Sequence, residues 1–328
     1  MRALLLTFLA LGLVACATTT PQHTAKADEA GFQSWAAAYE QRALTAGYDR
    51  TAVRNVMQSL TFQPRIIELD GKQPEGQMTL QQYIERTVDA ARINKGREKF
   101  AEHAAILRSV EQQTGVPANV IVALWGKETT YGGFTGGYEV GDALGTLAYD
   151  GRRRDMFERE LAAFIQIVQK LERDPTQLKG SWAGAMGQCQ FMPTSYLKYA
   201  ADGDGDGKAD IWTSLPDVFA STANFLKQSG WQAGQPIAQP IILPSTINAA
   251  IIGRDKPARP LQDWLNAGVK IMDTVPNQNL PARIYAPDVG GPAFIIYPNF
   301  DVLMRWNASG YFATGVASLA DQISHFER

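Results

Sequence analysis

The chain has 328 residues, 45% of them hydrophobic, and a formal net charge of −2. That is the profile of a soluble globular protein long enough for about two domains, and no strong basic excess points to nucleic acid. Two cysteines and three scattered histidines argue against a zinc site, and no solenoid or propeller repeat is apparent.

The first residues read as a targeting segment. Arg2 supplies a positive start, and Ala3 to Val14 form an apolar run too short to span a bilayer. The run ends in Leu13-Val14-Ala15-Cys16, which resembles a bacterial lipoprotein box. That resemblance implies a signal peptide over 1–15, a lipid on Cys16 and, because residue 17 is alanine rather than aspartate, the outer membrane of a Gram-negative cell. Several acyl chains on one cysteine anchor a protein stably, where a single chain does not. Residues 16–30 are polar, lack aromatics and read as a flexible tether. With Cys16 lipidated, Cys189 has no intrachain disulfide partner.

From Phe32 the pattern is helical. Phe32, Trp35, Ala36 and Tyr39, then Val53, Val56, Met57 and Leu60, recur at helical spacing, with Asp49 a cap between the two runs. Gln63 to Pro74, punctuated by proline and glycine, reads as an extended connecting arm. Thr79 is expected to cap a long helix through Tyr83, Ile84 and Val88. Another helix is expected from Glu98 to Thr114, stopped by Gly115.

Pro117 opens the helix that leads into Ala123-Leu-Trp-Gly-Lys-Glu-Thr-Thr-Tyr-Gly-Gly-Phe134. Val120, Leu124 and Glu128 fall four apart, so they share a face, and the apolar run would anchor the helix while presenting Glu128 at its C-terminal end. The negative end of a helix disfavours an ionised carboxylate, and Trp125, Tyr131 and Phe134 would add desolvation in the same direction. A glutamic acid kept protonated near neutral pH suits a general acid. The alternative is a solvated helix-end residue paired with Lys127 or an arginine. Asp142, with Glu139 behind it, is the candidate for a second catalytic carboxylate, but Ala143, Leu144 and Leu147 follow at helical spacing and Asp142 reads as an N-cap. In Lys179 to Tyr196, the small residues Ala183, Gly184, Ala185 and Gly187 allow close approach, and Ser181, Gln188 and Gln190 place polar groups among them. This suits a cleft wall or a tight helix crossing.

Three motifs now stand in order: Gly-Lys-Glu-Thr-x-Tyr-Gly around Glu128, Asp-Ala-Leu-x-Thr-Leu-Ala-Tyr-Asp from Asp142, and Gly-Ser-Trp-Ala-Gly-Ala-Met-Gly-x-x-Gln-Phe-Met-Pro from Gly180. Together they resemble the membrane-bound lytic murein transglycosylase B family, over the chain from about Phe32 onward. Gly145, where alanine is more usual, and Cys189, at a variable position, are small departures. The resemblance implies a lysozyme-like helical core and a single catalytic acid and base, Glu128. It implies that Ser181 positions the sugar, that Gln190 lines the cleft, that Tyr131 binds substrate, and that Asn307 and Tyr311 line the cleft opposite the acid; as bare residues those last two equally suit a cap and a core aromatic. The partners it implies are peptidoglycan glycan strands, with no organic cofactor.

Asp202-Gly-Asp-Gly-Asp-Gly-Lys-Ala-Asp210 starts like an EF-hand calcium loop: Asp202, Asp204 and Asp206 stand at positions one, three and five, Gly207 at six and Lys208 at seven. Thr213 replaces the usual glutamate at twelve, so Asp217 is expected to close the site and Asp210 to reach the ion. A plain aspartate–glycine turn is the alternative. Proline-punctuated strands follow (Ile237–Leu243, Ala282–Ala286, Ala293–Tyr297), with a short helix near Leu261. The expected fold is therefore mainly α: an N-terminal helical domain over 31–97, a lysozyme-like core over 98–235, a small α/β insert over 236–291, and a return to the core over 292–328. The expected activity is lytic cleavage of peptidoglycan from an outer-membrane anchor. A hydrolytic muramidase and a non-catalytic peptidoglycan-binding scaffold are the alternatives.

Overall fold

Side-chain caps start the first helices where the apolar spacing places them. In the computed structural model, which describes residues 28–71 and 78–324, α1 (Glu29–Thr45) opens on Asp28 and α2 (Arg50–Ser59) on Asp49, each carboxylate accepting a first-turn N–H. The expected signal peptide, Cys16 and the tether as far as residue 27 lie outside the described residues.

The arm expected after α2 is instead helical as far as Gly71: α3 (Pro64–Gly71) starts on a proline, which needs no N–H partner there, and buries Ile66 and Asp70 four apart. Asp70 pairs with Arg152 and Arg153, so this helix is held by long-range ion pairs that the local sequence does not announce. Thr79 and Gln82 form a capping box on α4 (Leu80–Thr87), which stops at two turns because Asp89 caps a new helix, α5 (Ala90–Glu102). The single helix expected over Glu98 to Thr114 is broken at His103, where α6 (Ala104–Thr114) begins. The His103 ring packs between Trp125 and Phe219, at 5.9 and 5.8 Å between centroids.

Then come α7 (Ala118–Thr129), α8 (Val140–Asp150), α9 (Arg154–Leu171), α10 (Pro193–Tyr199) and α11 (Leu215–Gln228). A two-stranded ribbon joins β1 (Tyr138–Glu139) antiparallel to β2 (Lys179–Gly180). α7 is the axis of the molecule, with every residue from Val120 to Gly126 buried. It packs on α5, α6, α11 and the final helix, α14 (Gly310–Ser324), which α13 (Pro298–Trp306) precedes. Phe32 and Val53 share one apolar core with Ile121, Leu144 and Phe164. The helices expected as an N-terminal domain thus bury their faces in the same core as the acid-bearing helix.

The insert has its own core around Leu261, Trp264, Ile284 and Ile295. Its sheet runs β4 (Arg259–Pro260), β6 (Pro281–Tyr285), β7 (Ala293–Ile296), β3 (Ala238–Ile242) and β5 (Lys270–Ile271), every neighbour antiparallel, with α12 (Leu261–Asn266) in the same unit. β7 is buried throughout because its two faces serve two cores: Ala293 and Ile295 point to the insert, Phe294 and Ile296 to the helices. The insert therefore extends to Ile296, beyond the expected boundary at 291.

Candidate active site

The end of α7 is built to hold a carboxyl group in poor solvent. Thr130 and Tyr131 both take left-handed backbone, at φ 53° and 61°, a strained pair for residues with side chains. Three contacts hold them there. The Tyr131 hydroxyl donates to the Arg92 carbonyl (2.7 Å), the Gly132 N–H donates to Thr129 Oγ1 (3.1 Å), and the Tyr131 ring fills the space at Gly126, where a Cβ would come within 2.5 Å of it. Tyr131, expected to bind substrate, is buried here and supports the turn. From below, Gln188 accepts from Trp125 Nε1 (2.8 Å) and donates to the Trp212 carbonyl (3.0 Å), tying the second motif to the acid helix.

Glu128 is half-buried, with part of its surface open and protein atoms crowding the rest. Trp306 Nε1 donates to its Oε1 at 2.7 Å. Burial pushes the carboxyl up to about 7, against the pull of the Trp306 hydrogen bond and of Lys127. Phe134, expected to contribute desolvation, is 73% exposed and adds none. Lys127 does not pair with Glu128. Its ammonium lies over the Tyr83 ring (4.4 Å) and donates to the Tyr83 hydroxyl (3.1 Å). Burial, with Arg92 nearby, pushes this lysine down to about 7.

Asp142 is not a cap. It lies within α8, behind Glu139 at the cap position, and is 5% exposed. Its oxygens accept from the Thr61 N–H (2.7 Å) and Gln63 Nε2 (3.1 Å), so it fastens the chain between α2 and α3. Burial raises its pKa against those two hydrogen bonds.

Of the other expected site residues, Gln190 and Ser181 adjoin the turn after Glu128. Gln190, itself left-handed at φ 51°, donates to the Thr135 and Gly187 carbonyls, both at 3.0 Å. Ser181 Oγ accepts from the Ala185 N–H (3.1 Å), closing a loop that abuts Gly136, where a Cβ would meet the Gly180 carbonyl at 2.0 Å. Asn307 is exposed and follows Trp306 directly, and Tyr311 is half-buried four residues later. The functional partner that sequence reasoning missed is Trp306, 178 residues from Glu128 in sequence. A tryptophan within an apolar stripe gives no local sign of where its N–H points.

In the acidic loop, Asp202, Asp204 and Asp217 each bring one carboxylate oxygen to within 4.8 Å of the others. Asp217 is 1% exposed. Oxygens sharing one calcium ion at about 2.4 Å stand at most about 4.8 Å apart, so this donor set fits that ion. Asp206, Lys208 and Asp210, also expected at the ion, stand outside that group of three. Asp210 pairs with Arg173 (3.0 Å) and accepts from Thr213 Oγ1 (2.7 Å), and Asp206 accepts from the Lys208 backbone N–H (2.8 Å).

The helical core around Glu128 gives the chain a lysozyme-like fold. It belongs to the transglycosylase SLT domain family, which residues 31–321 match. It is similar to membrane-bound lytic murein transglycosylase B of Escherichia coli, 31% identical over 245 residues, which are 74% of this chain and 66% of that protein. The chain thus spans just under two thirds of that relative's length. Among solved structures it is similar to SltB3 of Pseudomonas aeruginosa in complex with NAG-anhNAM-pentapeptide, at TM-score 0.85 and 37% identity over 89% of this chain and 79% of that one. It is also similar to Slt35 of Escherichia coli in complex with calcium, at TM-score 0.76 and 27% identity over 89% and 93%.

Proposed function

We propose that the protein is a lytic transglycosylase that cleaves the MurNAc–GlcNAc β-1,4 bond of peptidoglycan with Glu128 as sole acid and base. The observation that carries this reading is the Glu128 carboxyl: protonated near neutral pH by burial, and held through one oxygen by Trp306. Protonated Glu128 gives its proton to the glycosidic oxygen, and the bond from muramic C1 to that oxygen breaks. The muramic acid's own C6 hydroxyl then attacks C1 and passes its proton to the Glu128 carboxylate, which restores the acid. The product is a 1,6-anhydromuramoyl end. No second carboxylate is needed because the nucleophile belongs to the substrate, where a hydrolase needs a base for water or a nucleophile of its own. The SltB3 complexes with NAG-anhNAM-pentapeptide and NAG-NAM-pentapeptide support this assignment. Ser181, Gln190, Asn307 and Tyr311 are proposed to line the sugar site.

A structural calcium on Asp202, Asp204 and Asp217 belongs to the same proposal, supported by their convergence and by the calcium complex of Slt35. The ion would neutralise three carboxylates that otherwise repel one another and pin their loop to the start of α11. Lipid on Cys16 would hold the enzyme on the periplasmic face of the outer membrane. Cys16→Ala should release it from membranes with its activity intact, and a variant still sedimenting with membranes in detergent-free fractionation would end that reading.

Mass spectrometry of fragments released from purified sacculi tests the activity. Anhydromuramoyl ends are expected. Reducing muramic ends would identify a muramidase, and binding without release a scaffold.

A further inference from the structure

The insert meets the helices beside the acid at two charged points: Arg283 of β6 pairs with Asp301 of α13, and Asp288 reaches the starts of α4 and α14. Asp288 lies in the loop between β6 and β7. Its Oδ1 accepts from the Tyr311 hydroxyl at 3.0 Å, and its Oδ2 accepts from the Leu80 backbone N–H at 2.6 Å. Leu80 is the first residue of α4, so Asp288 takes one of the orphan donors at that helix start, 208 positions away in sequence. Tyr83 rides on the first turn of the same helix. Its ring meets the Tyr311 ring edge-on, with centroids 5.8 Å apart and planes at 61°. One carboxylate thus reaches both sides of the pair, Tyr311 directly and Tyr83 through the start of α4, while Lys127 holds Tyr83 from the acid's side.

Lys127, the residue before the acid, ties this pair to the site: its ammonium donates to the Tyr83 hydroxyl at 3.1 Å and lies over the Tyr83 ring. The Tyr83 hydroxyl is pushed up to about 12, first by burial and next by the charge of Glu128, and Tyr311 follows the Trp306 that holds Glu128. The insert also presses on the same corner from behind, since a Cβ at Gly310 would come within 2.4 Å of the Tyr285 hydroxyl. Paired aromatic rings with hydroxyl edges, half open to solvent, suit the apolar face and hydroxyl rim of a pyranose.

We infer that Asp288 is a positioning residue: it sets the Tyr83–Tyr311 pair against which a sugar of the glycan strand binds, and so tunes substrate affinity rather than the proton transfers. The inference rests on the lytic reading for its substrate class, but its test has a binding arm that does not need turnover. The full chain and its Asp288→Ala, Asp288→Asn and Tyr311→Phe variants are compared on soluble, uncrosslinked GlcNAc–MurNAc strands. KM and kcat are measured first. Strand affinity is then titrated with each change placed in a Glu128→Gln background, and melting temperatures establish folding.

Losing a hydrogen bond to a charged group corresponds to roughly a tenfold change. Asp288→Ala is therefore expected to raise KM and the dissociation constant about tenfold, with kcat within about twofold. Asp288→Asn keeps one acceptor and should fall between. Tyr311→Phe should add less than about twofold on top of Asp288→Ala, because both act through one ring. Unchanged KM and binding in folded Asp288→Ala, an effect confined to kcat, or full additivity with Tyr311→Phe would each overturn the inference. If Asp288→Ala does not fold, Tyr311→Phe, which keeps the ring, decides: unchanged affinity in that variant also overturns it. If the parent releases no fragments, the lytic reading fails, while the binding arm still tests Asp288.

Discussion

Glu128 and the acidic loop over 202–217 contain the same chemical group in opposite surroundings. At Glu128 a carboxyl receives one hydrogen bond, from an indole, and is otherwise crowded by protein, so burial wins and the proton stays on. In the loop, backbone N–H groups from Gly205 and Gly207 meet Asp202 and hold it below the usual carboxylate range. Burial pushes Asp210 up, but hydrogen bonds from Thr213 and Trp212 outweigh it, and Arg173 adds to the pull. Donor count against burial decides which carboxyl keeps a proton and which stays charged. Asp217 is the intermediate case: burial raises it while the Gly203 and Asp210 N–H groups pull it down.

The largest expected effect comes from removing the stored proton. Glu128→Gln keeps the side chain's size, yet turnover on sacculi should fall by at least ~10²–10⁴-fold, the usual loss for a positioned acid or base. Near-normal anhydromuropeptide release by this variant would show that another group carries the proton.

The charged side of the comparison is tested by the cation. At a hundredfold excess over its dissociation constant, calcium should stabilise the fold by about 2.7 kcal/mol, and Asp217→Asn should remove most of that gain. Calorimetry that shows the same melting temperature with calcium and with chelator would reduce the loop to a turn.

A subtler consequence concerns stability rather than rate. Glu128 rises from 4.5 to about 7 on folding, so between those values the unfolded chain releases a proton that the folded chain keeps. Its contribution is full below about pH 4.5 and is lost as pH rises to about 7. Glu128→Gln removes this penalty, so the inactive variant should be more stable than the parent at pH 8, by roughly 1–3 kcal/mol. Equal denaturation midpoints at pH 8 would mean that Glu128 ionises normally.

The smallest effect should come from Trp306→Phe. The indole hydrogen bond favours the carboxylate, so its loss should raise the acid further and move the basic limb of the pH–rate profile to higher pH. A shift to lower pH would contradict the assigned role of Trp306.

Much of this molecule is written locally. Asp28, Asp49 and Thr79 cap helices because a short oxygen side chain reaches an N–H two or three residues on, and that reach is a property of the sequence alone. The apolar run before Glu128 and the alternating aspartates and glycines from Asp202 are legible for the same reason: their meaning lies in spacings of a few residues. Tertiary structure decided what those signals cannot carry. Residues 64–71 became a helix because Asp70 found Arg152 and Arg153, and Asp142 became an anchor because Thr61 and Gln63 arrived at its oxygens. Asp210 found Arg173, and Trp306 took Glu128 across most of the chain. Each choice joins groups tens to hundreds of residues apart, and burial and the available donors select such partners only once the core has closed.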